Sequence, residues 1–390
     1  MVGKWASAVV LCGVFSGLSG LCATVAANTT GVPDTPGELA VPMPATAPAR
    51  PRIALLLPLH SEVLGRAADA VLAGFMAAYE RDRNDATVTV FATGESPQEL
   101  LAGYADAVAG NDIVVGPLSR TDVTALAQSG NVRKPTIALT QPELSPEVDR
   151  ALPRQMLVIG LSVEDEARQL ANWAAAGKHT ARALVISGGA AWQRRAASAF
   201  AAQWRQLGLE PQSADVSQAG AYLGASSVAQ LKKRILADKP ALLFVALDAA
   251  QARQVRTAVG RDMPMYGTSQ LNPFVPQELT QHEPMPEMDG VRLLDLPWQI
   301  ELSHPAVMIY PRTPPVPDQP RSPDLERLYA LGIDAWRIAS EIGAGHTRFE
   351  IDGVSGRLSV RFGEGTTRFQ RTPLQAIYQD GVVTPLVPSR

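Results

Sequence analysis

Arg52-Ile-Ala-Leu-Leu-Leu-Pro-Leu-His60, continued by Ser61 to Asp82, decides the fold of this chain. Ile53 to Leu57 is an unbroken apolar run, which suits a strand covered on both faces within a parallel sheet. Pro58 ends it, because proline has no N–H to give to a ladder. Leu64, Ala68, Val71, Leu72, Phe75 and Tyr79 then recur at steps of three and four, the spacing of a helix with one buried face. Strand, turn and helix make the first half of a βαβ unit.

The same grammar repeats. Strands are expected at Thr87 to Phe91, Ile113 to Val115, Pro135 to Leu139 and Met156 to Gly160. Helices are expected from Pro97 to Val108, capped by Ser96, and from an N-cap at Ser119 to Ala127. The pattern restarts at Ser162, which opens a helix to Ala176 with Asp165 three residues on, close to a capping box. Ala183 to Ile186, Ala241 to Leu247 and Met263 to Tyr266 read as strands. Trp192 to Leu207, Val228 to Leu236 and Ala249 to Val259 read as helices. Strands alternating with helices over short connections imply α/β architecture with parallel sheets. Two such series imply two doubly wound lobes. Pro297 to Pro323 fits neither series and reads as a long irregular loop. Asp324 to Ile342 resumes a helix with Leu328, Leu331, Ile338 and Ile342 on one side. The segments 349–360 and 367–383 look like hairpins turning at Asp352-Gly353, Gly363-Glu-Gly365 and Asp380-Gly381.

A chain of 390 residues exceeds the usual size of one core, which agrees with two lobes. It is 46% hydrophobic and 19% charged, with a net charge of −3 and no Lys/Arg-rich block, so nucleic acid is not an expected partner. The two cysteines, Cys12 and Cys22, both precede the globular body, so the body is expected to have neither a disulfide nor a cysteine-ligated metal.

Lys4, the apolar stretch Ala6 to Leu21 and the small residues Val25-Ala26-Ala27 form a secretory signal over 1–27, with a cut ahead of Asn28. Cys22 has two readings: a lipidated first residue of an anchored protein, or a small apolar residue inside the signal. Leu21 stands where a lipobox prefers a small residue. Residues 28–50, punctuated by Pro33, Pro36, Pro42, Pro44 and Pro48, read as an extended linker. Export to the periplasm is the expectation, with an outer-membrane lipid anchor as the alternative.

No P-loop, no Gly-x-Gly-x-x-Gly after a strand, no His-Glu-x-x-His and no Gly-x-Ser-x-Gly elbow occurs in the body. His60, His179, His282, His304 and His346 are scattered without ligand spacing. Glu164, Asp165 and Glu166 lie in a first helical turn, where pairing with the helix dipole accounts for them. Neither catalysis nor a cofactor is expected. In open α/β sheets, ligands bind beyond the carboxyl ends of strands. The cleft candidates are His60, Ser61, Ser119, Thr140, Gln141, Thr268, Ser269, Gln270 and Trp298. Ser119 reads equally as an N-cap and Thr268 to Gln270 as a turn. Trp298 lines the cleft, anchors a partner or packs into the core. Trp192, Trp204 and Trp336 read as core, and Arg327 and Arg337 as a solvated helix face.

Ile53-Ala-Leu-Leu-Leu-Pro-Leu59, Gly74-Phe-Met-Ala-Ala-Tyr79, Val115-Gly-Pro-Leu118, Leu161-Ser-Val-Glu-Asp-Glu-Ala167, Tyr266-Gly-Thr-Ser-Gln270, Leu296-Pro-Trp298 and Arg327-Leu-Tyr-Ala-Leu-Gly-Ile-Asp-Ala335 together resemble the penicillin-binding protein activators of the LppC type. The resemblance runs from about residue 51 to 377. It implies a type I periplasmic-binding-protein-like fold, with lobe one over 51–160 and 298–345, lobe two over 161–297 and 346–390, and a cleft between. The family's longer members carry a helical-repeat domain ahead of this body, and no 34-residue helical repeat is found here. The resemblance further implies a non-enzymatic envelope regulator of peptidoglycan synthesis that binds and activates a class A penicillin-binding protein. The alternative is a periplasmic solute receptor closing on an amino acid or peptide-like ligand. A sensor that combines both roles is a third expectation.

Overall fold

The computed structural model describes residues 50–82, 85–143, 152–176, 182–281, 283–312, 321–363, 365 and 367–386. The signal over 1–27, the linker up to residue 49, Cys22, His179 and His282 lie outside them.

The first lobe follows β1 (Arg52–Leu57), α1 (Gly65–Asp82), β2 (Thr87–Ala92), α2 (Pro97–Gly110), β3 (Ile113–Val115), α3 (Arg120–Gln128), β4 (Thr136–Ala138) and β5 (Met156–Val158). Its strands form one parallel sheet in the order β2-β1-β3-β4-β5. The apolar run of β1 is fully buried, and alternate residues serve opposite faces. Ile53, Leu55 and Leu57 pack with Val71 and Phe75 of α1, whereas Ala54 and Leu56 pack with Leu100 and Tyr104 of α2. The first helix begins at Gly65, later than Ser61, because the Ser61 hydroxyl accepts the Leu64 N–H in a preceding turn (2.9 Å).

The second lobe comprises α4 (Val163–Ala175), β6 (Ala183–Ser187), α5 (Ala191–Gln206), β7 (Pro211–Asp215), the small hairpin of β8 (Gln218–Ala219) and β9 (Tyr222–Leu223), α6 (Ala225–Asp238), β10 (Leu242–Ala246), α7 (Ala249–Val259), β11 (Met265–Gly267) and β12 (Arg292–Asp295). Short helices α8 (Pro297–Ile300) and α9 (Pro305–Met308) follow, each started by its proline, within the stretch read as irregular. Then come α10 (Pro323–Gly343), β13 (Arg348–Gly353), β14 (Gly356–Arg361), β15 (Arg368–Thr372), β16 (Leu374–Gln379) and β17 (Val382–Pro385). The second sheet runs β17-β16-β12-β11-β10-β6-β7, parallel except that β16 pairs antiparallel with both β12 and β17.

Helix α10 returns to the first lobe and crosses α1 at two glycines. Gly74 faces the Tyr329 carbonyl and Gly332 faces the Val71 carbonyl, with no room for a Cβ at either. Packing divides the stretch 346–390, which the sequence reading gave to the second lobe. Strands β13, β14 and β15 form a separate antiparallel sheet, and Ile351, Leu358 and Val360 join the cluster around α1 and α10. Only β16 and β17 join the second sheet. Trp204 and Trp336 are fully buried, but Trp192 is only half-buried. No described helix is long and apolar enough to cross a membrane.

Candidate functional site

The two lobes meet around the amino-terminal turn of α4. Ser162 caps it, its hydroxyl accepting the Asp165 N–H at 3.1 Å. The three acids of that turn then take three different partners. Glu164 accepts from Arg195 of α5 at 2.7 Å and lies 3.6 Å from Arg120, the first residue of α3. A second-lobe carboxylate is thus held between guanidinium groups of both lobes. Burial opposes its charge, but its own backbone N–H and the two arginines outweigh that and hold its pKa below the usual range. Asp165 pairs with Arg168 one turn on. Glu166 turns inward and accepts the Ser269 N–H at 2.8 Å and the Ser269 hydroxyl at 3.1 Å. Burial lifts its pKa to about 7 despite these donors, and the nearby Asp295 adds to the rise. Dipole pairing explains where these acids occur; the specific partners determine what each does.

Next to Glu166, Arg327 of α10 closes a buried network. Its Nε and Nη2 reach the two oxygens of Asp295 at 3.1 and 2.9 Å, and Nη2 also donates to the Ser269 and Asn272 carbonyls at 2.9 and 3.1 Å. Its Nη1 donates to Asp324 at 3.0 Å. Asp295 additionally accepts from Asn272 and the Leu296 N–H, each at 2.8 Å. Burial works against the Arg327 charge, yet these carboxylates raise its pKa further. The solvated face read for Arg327 is therefore corrected: the residue is 4% exposed. Arg337 is also half-covered, donating to the Asp352 carbonyl at 2.8 Å.

A second clamp runs through Arg371 of β15. It donates to the Ile159 and Gly160 carbonyls at 2.7 and 3.0 Å and to the Ser355 hydroxyl at 2.9 Å. Ser355 in turn donates its hydroxyl and N–H to Asp334 of α10 at 2.6 and 2.8 Å. Gln169 of α4 reaches the Arg371 carbonyl at 3.0 Å. Burial lowers the Arg371 pKa to about 10 and raises that of Asp334. The crossover between lobes at Ile159 and Gly160 is thereby tied to the separate three-stranded sheet.

Two cavities of about 220 Å³ flank this junction. One is lined by Gln141, Glu166, Phe369 and Arg371, the other by Ser269, Gln270, Asp324 and Arg327; Leu161 and Leu296 border both. A broader recess of about 560 Å³ lies against Glu164, Arg168, Arg194 and Arg195 and is lined by the second lobe alone.

The structure gathers only some of the sequence candidates here. Gln141 lines the first cavity; Ser269 and Gln270 line the second, where Gln270 donates to Asp324 at 3.2 Å. Thr140 is half-buried, its backbone against Gly160. Thr268 is fully buried, and its hydroxyl has no hydrogen-bond partner among the described residues. Ser61 shapes the turn before α1 and donates to Glu95 at 2.8 Å, which lowers the Glu95 pKa. Ser119 is the N-cap of α3, accepting the Asp122 N–H at 3.0 Å. His60 is exposed. Trp298 is core: fully buried, it donates to Glu326 at 3.0 Å and carries the Arg312 guanidinium 3.7 Å above its ring. Among the described residues no group of three side chains is placed to hold a metal ion.

Sequence reading missed Arg327, Asp295, Arg371 and Asp334. One signal was present: Arg327 and Asp334 fall on the helical stripe of Leu331 and Ile338, at steps of three and four, where a charge implies a buried partner.

The profile of a family described as "LppC putative lipoprotein" matches residues 36–381. The protein named penicillin-binding protein activator LpoA of Photobacterium profundum is 25% identical over 90% of this chain, and that of Yersinia pseudotuberculosis 27% over 77%. These alignments take in 59% and 50% of the relatives' own length, so the chain spans little more than half of the curated relatives it matches. Among solved structures, "a putative branched-chain amino acid ABC transporter" from Chromobacterium violaceum is 35% identical, covering 84% of this chain and all of that one, with a TM-score of 0.65. The LpoA (YraM) C-domain from Haemophilus influenzae, described as a regulator of PBP1A, has a TM-score of 0.64 at 22% identity, covering 86% of this chain and all of that one; at that identity it speaks for the fold alone.

Proposed function

This chain belongs to the LppC family, and on that premise we propose that it is a non-enzymatic protein of the periplasmic side of the envelope that binds a class A penicillin-binding protein and activates it. The observation that carries the reading beyond the relatives' names is the self-occupied junction. Glu164, Glu166, Arg327 and Arg371 spend their hydrogen-bonding capacity on the protein itself. The two cavities beside Glu166, Arg327 and Arg371, about 220 Å³ each, are smaller than the roughly 300–1,000 Å³ of ordinary small-molecule sites, and the broader recess of about 560 Å³ against Glu164 is lined by one lobe alone, with no second lobe to close on a ligand there. A body built this way acts through its surface. We place its lobes at 51–160 with 298–345 and at 161–297 with the chain end, strands β13 to β15 standing with the first.

Activation by binding requires that the chain grip the active arrangement of the synthase more tightly than the inactive one. A tenfold stimulation needs about 1.4 kcal/mol of such preference. Attachment by lipid at Cys22 or release as a soluble periplasmic protein are both compatible with this action. The solute-receptor reading is favoured by the likeness to the Chromobacterium violaceum protein. Binding of the purified chain to the ectodomain of a class A synthase from the same organism, run beside a thermal-shift screen of amino acids and muropeptides, separates the two. The activator reading expects saturable protein binding and no small-molecule shift. A stabilising amino acid without protein binding overturns it.

A further inference from the structure

We propose that the end of the first lobe where residues 1–49 join the body is a docking surface for anionic phospholipid headgroups, carried by Arg154, Arg361 and Arg368. The surface is the outward face of the three-stranded sheet. In β13 to β15, Ile351, Leu358 and Val360 point to the core, so the alternate residues point to solvent. The strand register sets Arg361 opposite Arg368, two exposed arginines side by side on neighbouring strands. Like charges facing each other across strands are unfavourable on their own. A surface of opposite charge relieves that cost.

Arg154 extends the row: its carbonyl accepts the Thr367 hydroxyl at 2.7 Å, beside Arg368, and its side chain is exposed. Among the described residues no carboxylate pairs with Arg154, Arg361 or Arg368. The acids nearer the chain entry are already taken, Asp112 by Arg52 at 2.9 Å and Asp85 by Arg50 at 3.7 Å. The patch is local, because the whole chain carries a net charge of −3.

Its position identifies the partner. Gly343, ending α10, abuts Pro51, next to Arg50 where the amino-terminal segment enters. The chain then turns into β13, and the Phe362 N–H at the end of β14 donates to the Thr347 carbonyl at 2.8 Å. The arginine row and the entry point of the segment that carries Cys22, the candidate site of lipid attachment, therefore share one end of the lobe. A single acyl chain gives only marginal membrane attachment, and a basic patch beside it supplies a second contact.

The test uses the full exported chain and vesicles of phosphatidylethanolamine and phosphatidylglycerol at three to one, against vesicles of phosphatidylethanolamine and phosphatidylcholine. Comparing variants with the same tether isolates the patch. Arg361→Glu/Arg368→Glu is expected to weaken co-sedimentation with the anionic vesicles by about 30-fold or more, from the usual strength of one arginine–headgroup contact at each site. Arg361→Lys/Arg368→Lys is expected to retain it, and 0.5 M salt to abolish the difference. Equal binding of wild type and the double reversal overturns the proposal. So does equal binding to both vesicle types. Loss of synthase binding in the reversed variant with vesicle binding intact also overturns it, by assigning the row to a protein partner.

Discussion

Replacing Arg327 with methionine is expected to uncouple the two lobes. Arg327 stands on α10 of the first lobe and donates to Asp295 and to the Ser269 and Asn272 carbonyls, all on second-lobe segments. Methionine fills similar volume but offers no donor, leaving Asp295 at 0% exposure with only Asn272 and the Leu296 N–H, and taking one donor from each of two carbonyls, of which Ser269 keeps the Asn272 N–H. Breaking a buried pair by removing one member costs about 3–5 kcal/mol. The assay is urea unfolding followed by tryptophan fluorescence and by far-ultraviolet circular dichroism. Arg327→Met is expected to lose about 3–5 kcal/mol and to separate the two probes' transitions, since one lobe then opens ahead of the other. Arg327→Met/Asp295→Asn is expected to recover at least half of the loss, because the orphaned carboxylate is gone. A single-variant loss below about 1 kcal/mol with coincident transitions, the size of an exposed pair, refutes the reasoning.

Other consequences are equally direct. Glu166, with its pKa raised to about 7, binds a proton in the folded chain more tightly than in the unfolded one, so its contribution is complete below about pH 4.5 and is lost as pH rises to 7, about 3 kcal/mol in all. Glu166→Gln should flatten the stability profile across that window, with a residual slope of the same sign from Asp334, and an unchanged profile would dismiss the assignment. Gly332→Ala should cost about 1–3 kcal/mol in denaturant midpoint, because the added methyl meets the Val71 carbonyl and the Phe75 nitrogen; an unshifted midpoint would show that α1 and α10 can separate at no cost. Glu164→Gln weakens the link between Arg120 and Arg195 by about 1 kcal/mol and should raise the radius of gyration measured by small-angle X-ray scattering; no change would mean that Arg327 and Arg371 alone hold the lobes.

The βα series was legible because buried parallel strands write themselves as apolar runs, as in Ile53 to Leu57 and Ala241 to Leu247. Strand β7 escaped because it is an edge strand: Pro211-Gln-Ser-Ala-Asp215 has no apolar run to betray it. Strand β12 escaped because Arg292 and Asp295 flank only two leucines. The placing of β13 to β15 against the first lobe was illegible for a different reason. Their alternation announces strands with one buried face but not which core covers it. At the site, Ser119 and Ser162 were readable as caps because capping is local. Arg371 was not, since its partners Ile159 and Gly160 lie more than two hundred residues away in sequence.

The most direct test of the account is the peptide cross-linking rate of a class A penicillin-binding protein from the same organism, measured on its lipid-linked precursor with and without saturating amounts of this chain. The account predicts a rate that rises with the chain's concentration and levels off at the concentration that saturates binding. A rate unchanged at saturation, with the chain bound or not, contradicts it.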